Sequence, residues 1–408
     1  MFLFPINRVP DEMNHARMTW ETFHKPTENS FKWMDEIPSN DKVKPKEYKQ
    51  LLARKIEMKN EPFKFGISLK TISFLPQLIG MTIGSWISPS VGMIIYMGRI
   101  FNALAYILGL YFLIRYFKYG KTALMFISLL PIMVQQASSL SYDVMNYLEV
   151  MLAFGFITNI AYSRRFTNRN FVQVIGLAIL LLATKPNNIL LLGLIPFVSF
   201  EFRGVLKVLN RPFESLKIIV SRYKFVFYLL LLITIGFILQ FLMRNEGGLV
   251  HYIHVLLNTL VNARQNGDLN SILTIGVFGY LGNFTLQLPL WLIFIDIAVL
   301  VLIFLANEKD FFSKDFSIFA AWLFPIQVLA TVTVMYLQWT PIVLGHGASV
   351  SVGSQGRYFT PFLILFLPLV ANLGNFEISQ NKVLKISTIT LLVNFLISIF
   401  LIIPFYWM

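Results

Sequence analysis

The sequence predicts an all-α polytopic membrane protein. Of its 408 residues, 56% are apolar and only 13% are charged, and the mean hydropathy is +0.65; soluble chains carry about 25% charged residues. Apolar runs near the roughly 20 residues that cross a bilayer as a helix recur along the chain. The absence of cysteine excludes disulfides, thiolate metal sites and cysteine nucleophiles. We interpret the net charge of +13 as a sign of membrane orientation, with the bilayer and not a nucleic acid as partner.

The N-terminal region up to residue 90 is predicted to be an extracytoplasmic first loop. Its first 70 residues hold 13 basic and 10 acidic side chains and no long apolar run. Residues 1–6 are too short for the apolar region of a signal peptide, so we expect the first five to be the outer end of a further span. Residues 63–90 are apolar but interrupted by proline and glycine, which predicts a short interfacial helix anchored by Trp86.

Ten visible transmembrane helices are predicted after this loop, or eleven with the further span. Eight apolar runs lie at about 91–117, 122–140, 144–162, 223–243, 289–306, 315–337, 358–375 and 385–405. The run 171–200 is interrupted at 185–188 by the sequence KPNN, which predicts two shorter helices that meet at a polar break. The predicted organisation is therefore a first loop at 1–90, membrane helices at 91–243, an outer loop at 244–288 and membrane helices at 289–408.

The distribution of Lys and Arg predicts the orientation of these helices. One set of alternate loops carries 16 basic residues, whereas the opposite loops after the first span carry only Lys185, Arg244, Arg264 and Arg357. Because cytoplasmic loops are enriched in basic residues, the helix break at 185–188 and the loops 244–288 and 338–357 are expected outside.

Two acidic clusters lie on the predicted outer face. The first contains Asp11, Glu12 and His15, followed by Arg17. Adjacent carboxylates there could supply a general base or bind a divalent cation, although such pairs are also common in solvated loops. The second cluster is SLSYD at 139–143, in which Asp143 is either a site residue or part of an ordinary helix start.

Two basic residues end predicted outer spans. Lys185 either snorkels to the membrane surface or binds an anion such as phosphate. Arg357 follows Gly353 and Gly356, which allow close backbone approach, and it either anchors the helix at the interface or binds phosphate in a bidentate manner. One outward-facing cavity could collect these cations and the carboxylates of the first loop.

Other polar residues admit simpler interpretations. Arg99 and Asp296 lie inside predicted spans, as structural polar contacts or as parts of a proton or ion path. His251 and His254 have the spacing of a shared helical face, but the pattern offers no third metal ligand.

The sequence resembles a family of bacterial polytopic membrane proteins of unassigned function. Six short motifs carry the resemblance, in order along the chain: Pro10, Asp11, Glu12 and His15; Leu75, Pro76 and Gln77; Gly98, Arg99 and Asn102; Ser139, Ser141, Tyr142 and Asp143; Lys185 and Pro186; Gln355, Gly356, Arg357 and Tyr358.

That family looks like the GT-C class of glycosyltransferases, which move a sugar from a polyprenyl-phosphate carrier to an acceptor outside the cytoplasmic membrane. The resemblance implies a GT-C-like helical bundle in the bacterial cell membrane, with its active site facing outside. It implies catalysis by Asp11 or Glu12 and no definite cofactor, since the class is divided on metal dependence. The residues expected to bind substrate are His15, Arg17, Ser141, Tyr142, Asp143, Lys185, Gln355, Arg357 and Tyr358.

The implied reaction is glycosyl transfer to an extracytoplasmic glycan such as a cell-surface polysaccharide or teichoic acid. Two alternatives stay open. A transporter or flippase of lipid-linked sugars would use Arg99, Asp296 and the broken helix. A noncatalytic envelope-assembly protein would not bring Asp11, Glu12 and Arg357 into one cavity.

Overall fold

The computed structural model describes residues 3–25, 32–35, 37–38, 42–261, 273, 275–308, 311–373 and 378–408. Arg264 and Lys309, two of the residues counted for the orientation, lie outside the described residues, as does part of the predicted outer loop 244–288.

The described chain is mostly helical. Its α-helices are α1 Glu12–Trp20, α2 Lys32–Asp35, α3 Pro45–Ala53, α4 Thr71–Ile87, α5 Val91–Tyr116, α6 Lys121–Ser128, α7 Pro131–Ala137, α8 Asp143–Ser163, α9 Asn168–Thr184, α10 Asn210–Arg222, α11 Lys224–Leu242, α12 Gly248–Leu260, α13 Ile275–Phe278, α14 Leu290–Leu305, α15 Lys314–Gln338, α16 Thr340–Leu344, α17 Leu367–Leu373 and α18 Gln380–Trp407. Short 3-10 helices lie at Met58–Asn60, Pro186–Phe197, Gly204–Leu209, Gly356–Tyr358 and Thr360–Phe366.

Two pairs of very short strands complete the fold of the described residues. Strand β1 (Arg165–Phe166) pairs in parallel with β2 (Glu201–Phe202), with Arg165 opposite Glu201. Strand β3 (Tyr280–Leu281) pairs in antiparallel fashion with β4 (Leu286–Gln287), with Tyr280 opposite Gln287.

Several long helices begin where hydroxyl side chains can cap them. Ser90 accepts a hydrogen bond from the Met93 backbone N at the start of α5, and Ser313 accepts one from Phe316 N at the start of α15. Thr167 and Asn170 form a reciprocal capping box at the start of α9. These bonds satisfy backbone donors that the first turn of a helix leaves unpaired.

Five described helices are long and apolar enough to cross a membrane, namely α5, α8, α11, α15 and α18. The ends of α5, α8 and α11 lie within one residue of the predicted spans, and α15 is similarly close. The predicted break at Lys185 is also confirmed, because α9 ends at Thr184. Apolar character and membrane association are thus confirmed, whereas the total of ten spans stays a prediction.

Three predicted helices have a different form. The run 122–140 is not one helix, because Pro131, which lacks a backbone N–H, begins a separate helix α7 after α6 ends at Ser128. The half-helix after Lys185 is a 3-10 helix, and the run 358–375 divides into 3-10 turns followed by α17. Hydropathy records the apolar content of such runs but not their hydrogen-bond pattern.

Helices α4 and α5 form a tightly packed antiparallel pair. Gly80 of α4 lies against Met97 and Gly98 of α5, and a Cβ on Gly84 would come within 2.8 Å of the Met93 carbonyl oxygen. Small residues at these points let the two backbones approach closely. The interval 63–90 therefore contains a continuous helix of 17 residues, on which Trp86 is largely exposed.

The N-terminal segment packs against the α4–α5 pair instead of extending freely. Apolar side chains from both parts form one buried cluster: Ile6, Ala16, Trp20, Trp33, Met34, Ile37, Ile56, Met81, Val91, Ile94, Ile95 and Leu140. The segment also contacts the end of α18, where Trp407 Nε1 donates to the Leu3 carbonyl at 2.6 Å.

Contacts between loops occur at two ends of the described bundle. At one end, the N-terminal segment meets α5 and the loop before α8 through the bonds of Glu12 to Arg99 and to Leu140 N. At the other, β1 pairs with β2, and Tyr119 donates to the Glu308 carbonyl. The candidate site lies at the first end.

Candidate functional site

Asp11 lies where the N-terminal segment enters α1. Its φ of 62° is in the left-handed region, which is uncommon for a residue with a side chain. Although Asp11 occupies the N-cap position of α1, its carboxylate makes no capping bond. Instead, Oδ2 accepts hydrogen bonds from Arg357 Nη2 at 2.8 Å and from Gln355 Nε2 at 3.1 Å. The backbone conformation thus directs this carboxylate away from its own helix.

Asp143 joins two cations that are far apart in sequence. Its Oδ1 accepts a hydrogen bond from Lys185 Nζ at 2.8 Å, and its Oδ2 accepts one from Arg357 Nε at 3.2 Å. The carboxylate is buried at the first residue of α8 and makes no capping bond to that helix. The Asp143 carboxylate therefore binds two cations from other parts of the chain instead of capping its own helix. We call Asp11, Asp143, Lys185 and Arg357 the ion-pair network.

Aromatic rings line the network. Lys185 Nζ lies 3.9 Å from the centre of the Tyr358 ring and 5.6 Å from that of Tyr142. The Arg357 guanidinium carbon lies 5.0 Å from the Tyr358 ring centre. Such cation–π contacts stabilise positive charge that is partly removed from water.

The position of Arg357 depends on close backbone packing. Gly356 lies against Gly276 so closely that a Cβ on Gly356 would overlap that backbone. Gly353 has a φ of +95°, which permits the turn that leads into the segment. Arg357 itself is almost fully buried, and its Nη1 has no hydrogen-bond partner within the described part of the chain.

His15 is neutral in this environment. Its ring centre lies 4.3 Å from that of Tyr142. Burial lowers the pKa of His15 from 6.5 to about 4, against the opposing influence of Asp143 and Asp11. Its Nδ1 is buried and has no hydrogen-bond partner among the residues that the structure describes. His15 thus offers a neutral ring beside the network.

Asp11 is held as a carboxylate. Burial raises its pKa, but the charge and hydrogen bond of the neighbouring Arg357 guanidinium outweigh burial and leave the pKa below its usual value. Two carboxylates and two cations form the network, so its formal charge is zero with His15 neutral. Asp11 is its most open carboxylate, with 34% of its side chain exposed against 1% for Asp143.

Glu12 has a different environment from its neighbour Asp11. Its carboxylate is fully buried and accepts from Arg99 Nε at 2.7 Å and Arg99 Nη2 at 2.6 Å. It also accepts from the backbone N of Asn7 at 2.8 Å and of Leu140 at 3.3 Å. The two adjacent carboxylates therefore have different partners, and of the two Asp11 is the one that joins the ion-pair network.

The remaining expected site residues are placed as follows. Gln355 and Tyr358 contact the network, and Ser141 accepts a hydrogen bond from the Asp143 backbone N at 3.2 Å. Arg17 pairs with Asp35 on a more exposed surface, so we leave it out of the site. Arg99 is the partner of Glu12, and Asp296 is fully buried and accepts from Asn394 Nδ2 at 2.6 Å.

Sequence reasoning missed a buried polar extension of the site along α8. Asn146 accepts from Asn188 Nδ2 at 2.6 Å, and Glu149 accepts a hydrogen bond from Thr184. Asp143, Asn146 and Glu149 recur at every third position of an apolar helix, which places them on one face. This three-residue spacing of polar side chains in an apolar helix is the sequence pattern that could have predicted the extension.

His251 and His254 are the two histidines whose spacing suggested a shared helical face. Within the described ranges, no three His, Asp or Glu side chains are arranged to hold a metal ion. His251 Nε2 lies 3.2 Å from the Ala348 carbonyl oxygen.

The helices and the network define a polytopic helical membrane protein with a buried ion-pair site at one end of its bundle. The profile of the family described as "Predicted membrane protein (DUF2142)" matches residues 2–366, and the chain belongs to that family. No curated protein matches the chain. No solved structure matches it either.

Proposed function

We propose that the protein is a membrane glycosyltransferase that moves a sugar from a polyprenyl-phosphate carrier to an acceptor hydroxyl on the outer side of the bacterial cytoplasmic membrane. The acceptor belongs to the cell envelope, as a surface polysaccharide or teichoic acid. The observation that carries the proposal is the ion-pair network, in which the partly exposed Asp11 pairs with Arg357 and the buried Asp143 joins Arg357 to Lys185.

The network supplies the two kinds of group that this transfer requires. Asp11 accepts the proton of the acceptor hydroxyl, whose oxygen forms a bond to the anomeric carbon. The bond between that carbon and the phosphate oxygen breaks, and its electron pair leaves with the polyprenyl phosphate. Arg357 and Lys185 stabilise the charge that develops on this leaving group.

The position of Lys185 fits a lipid-linked donor. Lys185 follows the end of α9, whose outward-facing Ile179 and Leu182 are about half exposed on an apolar helix. A carrier lipid approaching from the bilayer would bring its phosphate to this boundary while its hydrocarbon chain remained among apolar side chains. Arg357 lies close to Lys185, because the Asp143 carboxylate accepts hydrogen bonds from both residues.

Two observations favour this proposal over the alternatives. A noncatalytic assembly protein predicts that Asp11, Glu12 and Arg357 do not share one cavity; Glu12 does pair separately with Arg99, but the charged groups of Asp11 and Arg357 lie 2.8 Å apart. A transporter that uses Asp296 predicts an aqueous path to that residue, yet Asp296 is fully buried.

The test is transfer of label by purified protein in proteoliposomes. Radiolabelled polyprenyl-phosphate sugars would be supplied with a cell-envelope fraction as acceptor. We expect transfer by the wild-type protein and at least about a hundredfold loss in Asp11→Asn, because general base catalysis contributes 10²- to 10⁴-fold.

The matched control is Asp35→Asn, which removes the same charge on a more exposed surface and is expected to keep full activity. Transfer that persists in the double variant Asp11→Asn, Glu12→Gln would exclude catalysis by either carboxylate. Absence of transfer with every donor would contradict the reaction itself.

A further inference from the structure

Arg357 has one guanidinium nitrogen still available. Its Nε donates to Asp143 and its Nη2 donates to Asp11. Its Nη1 is buried and has no hydrogen-bond partner in the described part of the protein. An unused, buried and charged donor is unusual, since such groups are normally paired.

Phosphate recognition by arginine uses two adjacent N–H groups at once. The guanidinium offers two such edges, Nε with Nη2 and Nη1 with Nη2. Nη2 belongs to both edges, and Asp11 holds it at 2.8 Å. Nη2 carries one hydrogen on each edge, so a phosphate on the Nη1–Nη2 edge would have its oxygens directly beside the Asp11 carboxylate, and these like charges repel each other.

We propose that a phosphate ester binds the Nη1–Nη2 edge of Arg357 and displaces the Asp11 carboxylate that lies against this guanidinium in the structure. The phosphate takes Nη1 and Nη2, while Asp143 keeps Nε. The inference rests on the proposed function for the identity of the ester, a polyprenyl phosphate, but its chemistry applies to any phosphate.

Asp143 is the positioning residue in this arrangement. Each of its oxygens bonds one cation, so it fixes the spacing of Lys185 and Arg357. It is buried and lies on a long helix, whereas Asp11 is one-third exposed at the end of a loop. The carboxylate that can turn toward solvent is therefore Asp11, and the one that must remain is Asp143.

The charge balance supports the exchange. The network is formally neutral, so an added phosphate diester would bring uncompensated negative charge into a buried site. Displacement of Asp11 toward solvent restores the balance, because the phosphate then replaces its charge beside the two cations. Unpaired buried charge is strongly unfavourable.

The displacement would also activate Asp11 as a base. In the resting structure, the charge of Arg357 holds the pKa of Asp11 below its usual value. Once the carboxylate leaves Arg357, that influence weakens and the carboxylate becomes a stronger proton acceptor. Proton abstraction from the acceptor is then linked to the presence of the donor phosphate.

The experiment measures phosphate binding and needs no sugar transfer. Full-length protein in nanodiscs would be titrated with a polyprenyl monophosphate, and detergent-solubilised protein with inorganic phosphate. We expect Asp11→Asn to bind at least about tenfold more tightly than wild type, because the carboxylate charge that repels the phosphate is removed. Asparagine tolerates the left-handed backbone of this position, so the variant is expected to fold.

Three further variants test whether the change in phosphate binding is specific to the contact with Arg357. In an Arg357→Lys background, Asp11→Asn should give a smaller gain, because lysine presents no bidentate edge for the phosphate. Asp143→Asn should weaken binding, and Asp35→Asn should leave it unchanged. Thermal unfolding of each variant checks that it is folded.

The outcomes separate the possibilities. A gain with both probes supports the position and shows that the phosphate group itself is recognised. A gain with the lipid alone supports a lipid headgroup as the source, and a gain with inorganic phosphate alone supports a free anion. Equal or weaker binding by Asp11→Asn with both probes overturns the inference. Tight binding without label transfer would contradict the proposed function and leave this inference intact.

Discussion

Replacement of Glu12 by glutamine should destabilise the protein strongly. The substitution keeps the shape of the side chain but removes the partner of a buried guanidinium, since Glu12 and Arg99 are both 0% exposed. Arg99 also donates to the carbonyl oxygens of Phe4 at 2.8 Å and Pro5 at 3.1 Å. These carbonyls are neutral and do not compensate the charge that remains.

The expected size of the effect follows from that burial. Breaking a buried ion pair by removing one partner lowers the free energy of unfolding by about 3–5 kcal/mol. Removing both charges in Glu12→Gln, Arg99→Met leaves no unpaired ion, so at least about half of the loss should be recovered. Asp35→Asn, which breaks the more exposed pair with Arg17, should lower the same free energy by less than about 1 kcal/mol.

The measurement is an SDS unfolding titration of purified protein in micelles, with the thermal midpoint at a fixed scan rate as a second readout. The three variants are compared with wild type under identical conditions. Wild-type stability in Glu12→Gln would refute the reasoning, and so would a double variant that is less stable than either single one.

Three further outcomes are expected. The pKa of His15 is about 4 in the folded state against 6.5 in the unfolded state, so the unfolded state binds more protons between these pH values. The free energy of unfolding should therefore fall on the order of 3 kcal/mol as the pH drops from 7 to 4. Unfolding of His15→Gln, measured over the same pH range, should lack this component. Gly356→Ala should reduce label transfer and stability because its Cβ overlaps the Gly276 backbone, whereas Gly176→Ala, in open space on α9, should be neutral in the same assays. Asp296→Asn should retain label transfer, and loss of transfer with intact folding would instead favour an ion path through the membrane.

Apolar length predicted the long helices well, because crossing a bilayer requires such runs whatever their neighbours. It failed at 122–140 and 358–375, where proline and 3-10 turns divide runs that are equally apolar. The difference lies in backbone hydrogen bonding, which mean hydropathy does not record.

The site was predictable in part for a similar reason. Three site residues lie next to the ends of apolar runs on the same predicted side of the membrane, namely Asp143, Lys185 and Arg357. Their proximity could therefore be expected from the predicted topology. The different environments of Asp11 and Glu12 could not be predicted, because two neighbouring residues of the same charge have the same predicted position relative to the membrane. Their side chains diverge through the positive φ of Asp11, which nothing in a single sequence specifies.

The contact between the N-terminal segment and α18 has a consequence for biogenesis. Trp407 bonds the Leu3 carbonyl, Tyr406 packs against Phe4, and Val43 N donates to the Tyr406 carbonyl. Ribosomal synthesis delivers the N-terminal segment well before α18. The loop that carries Asp11 is therefore made before the helix that supports it, and a nascent chain has no complete site until α18 has packed against this loop.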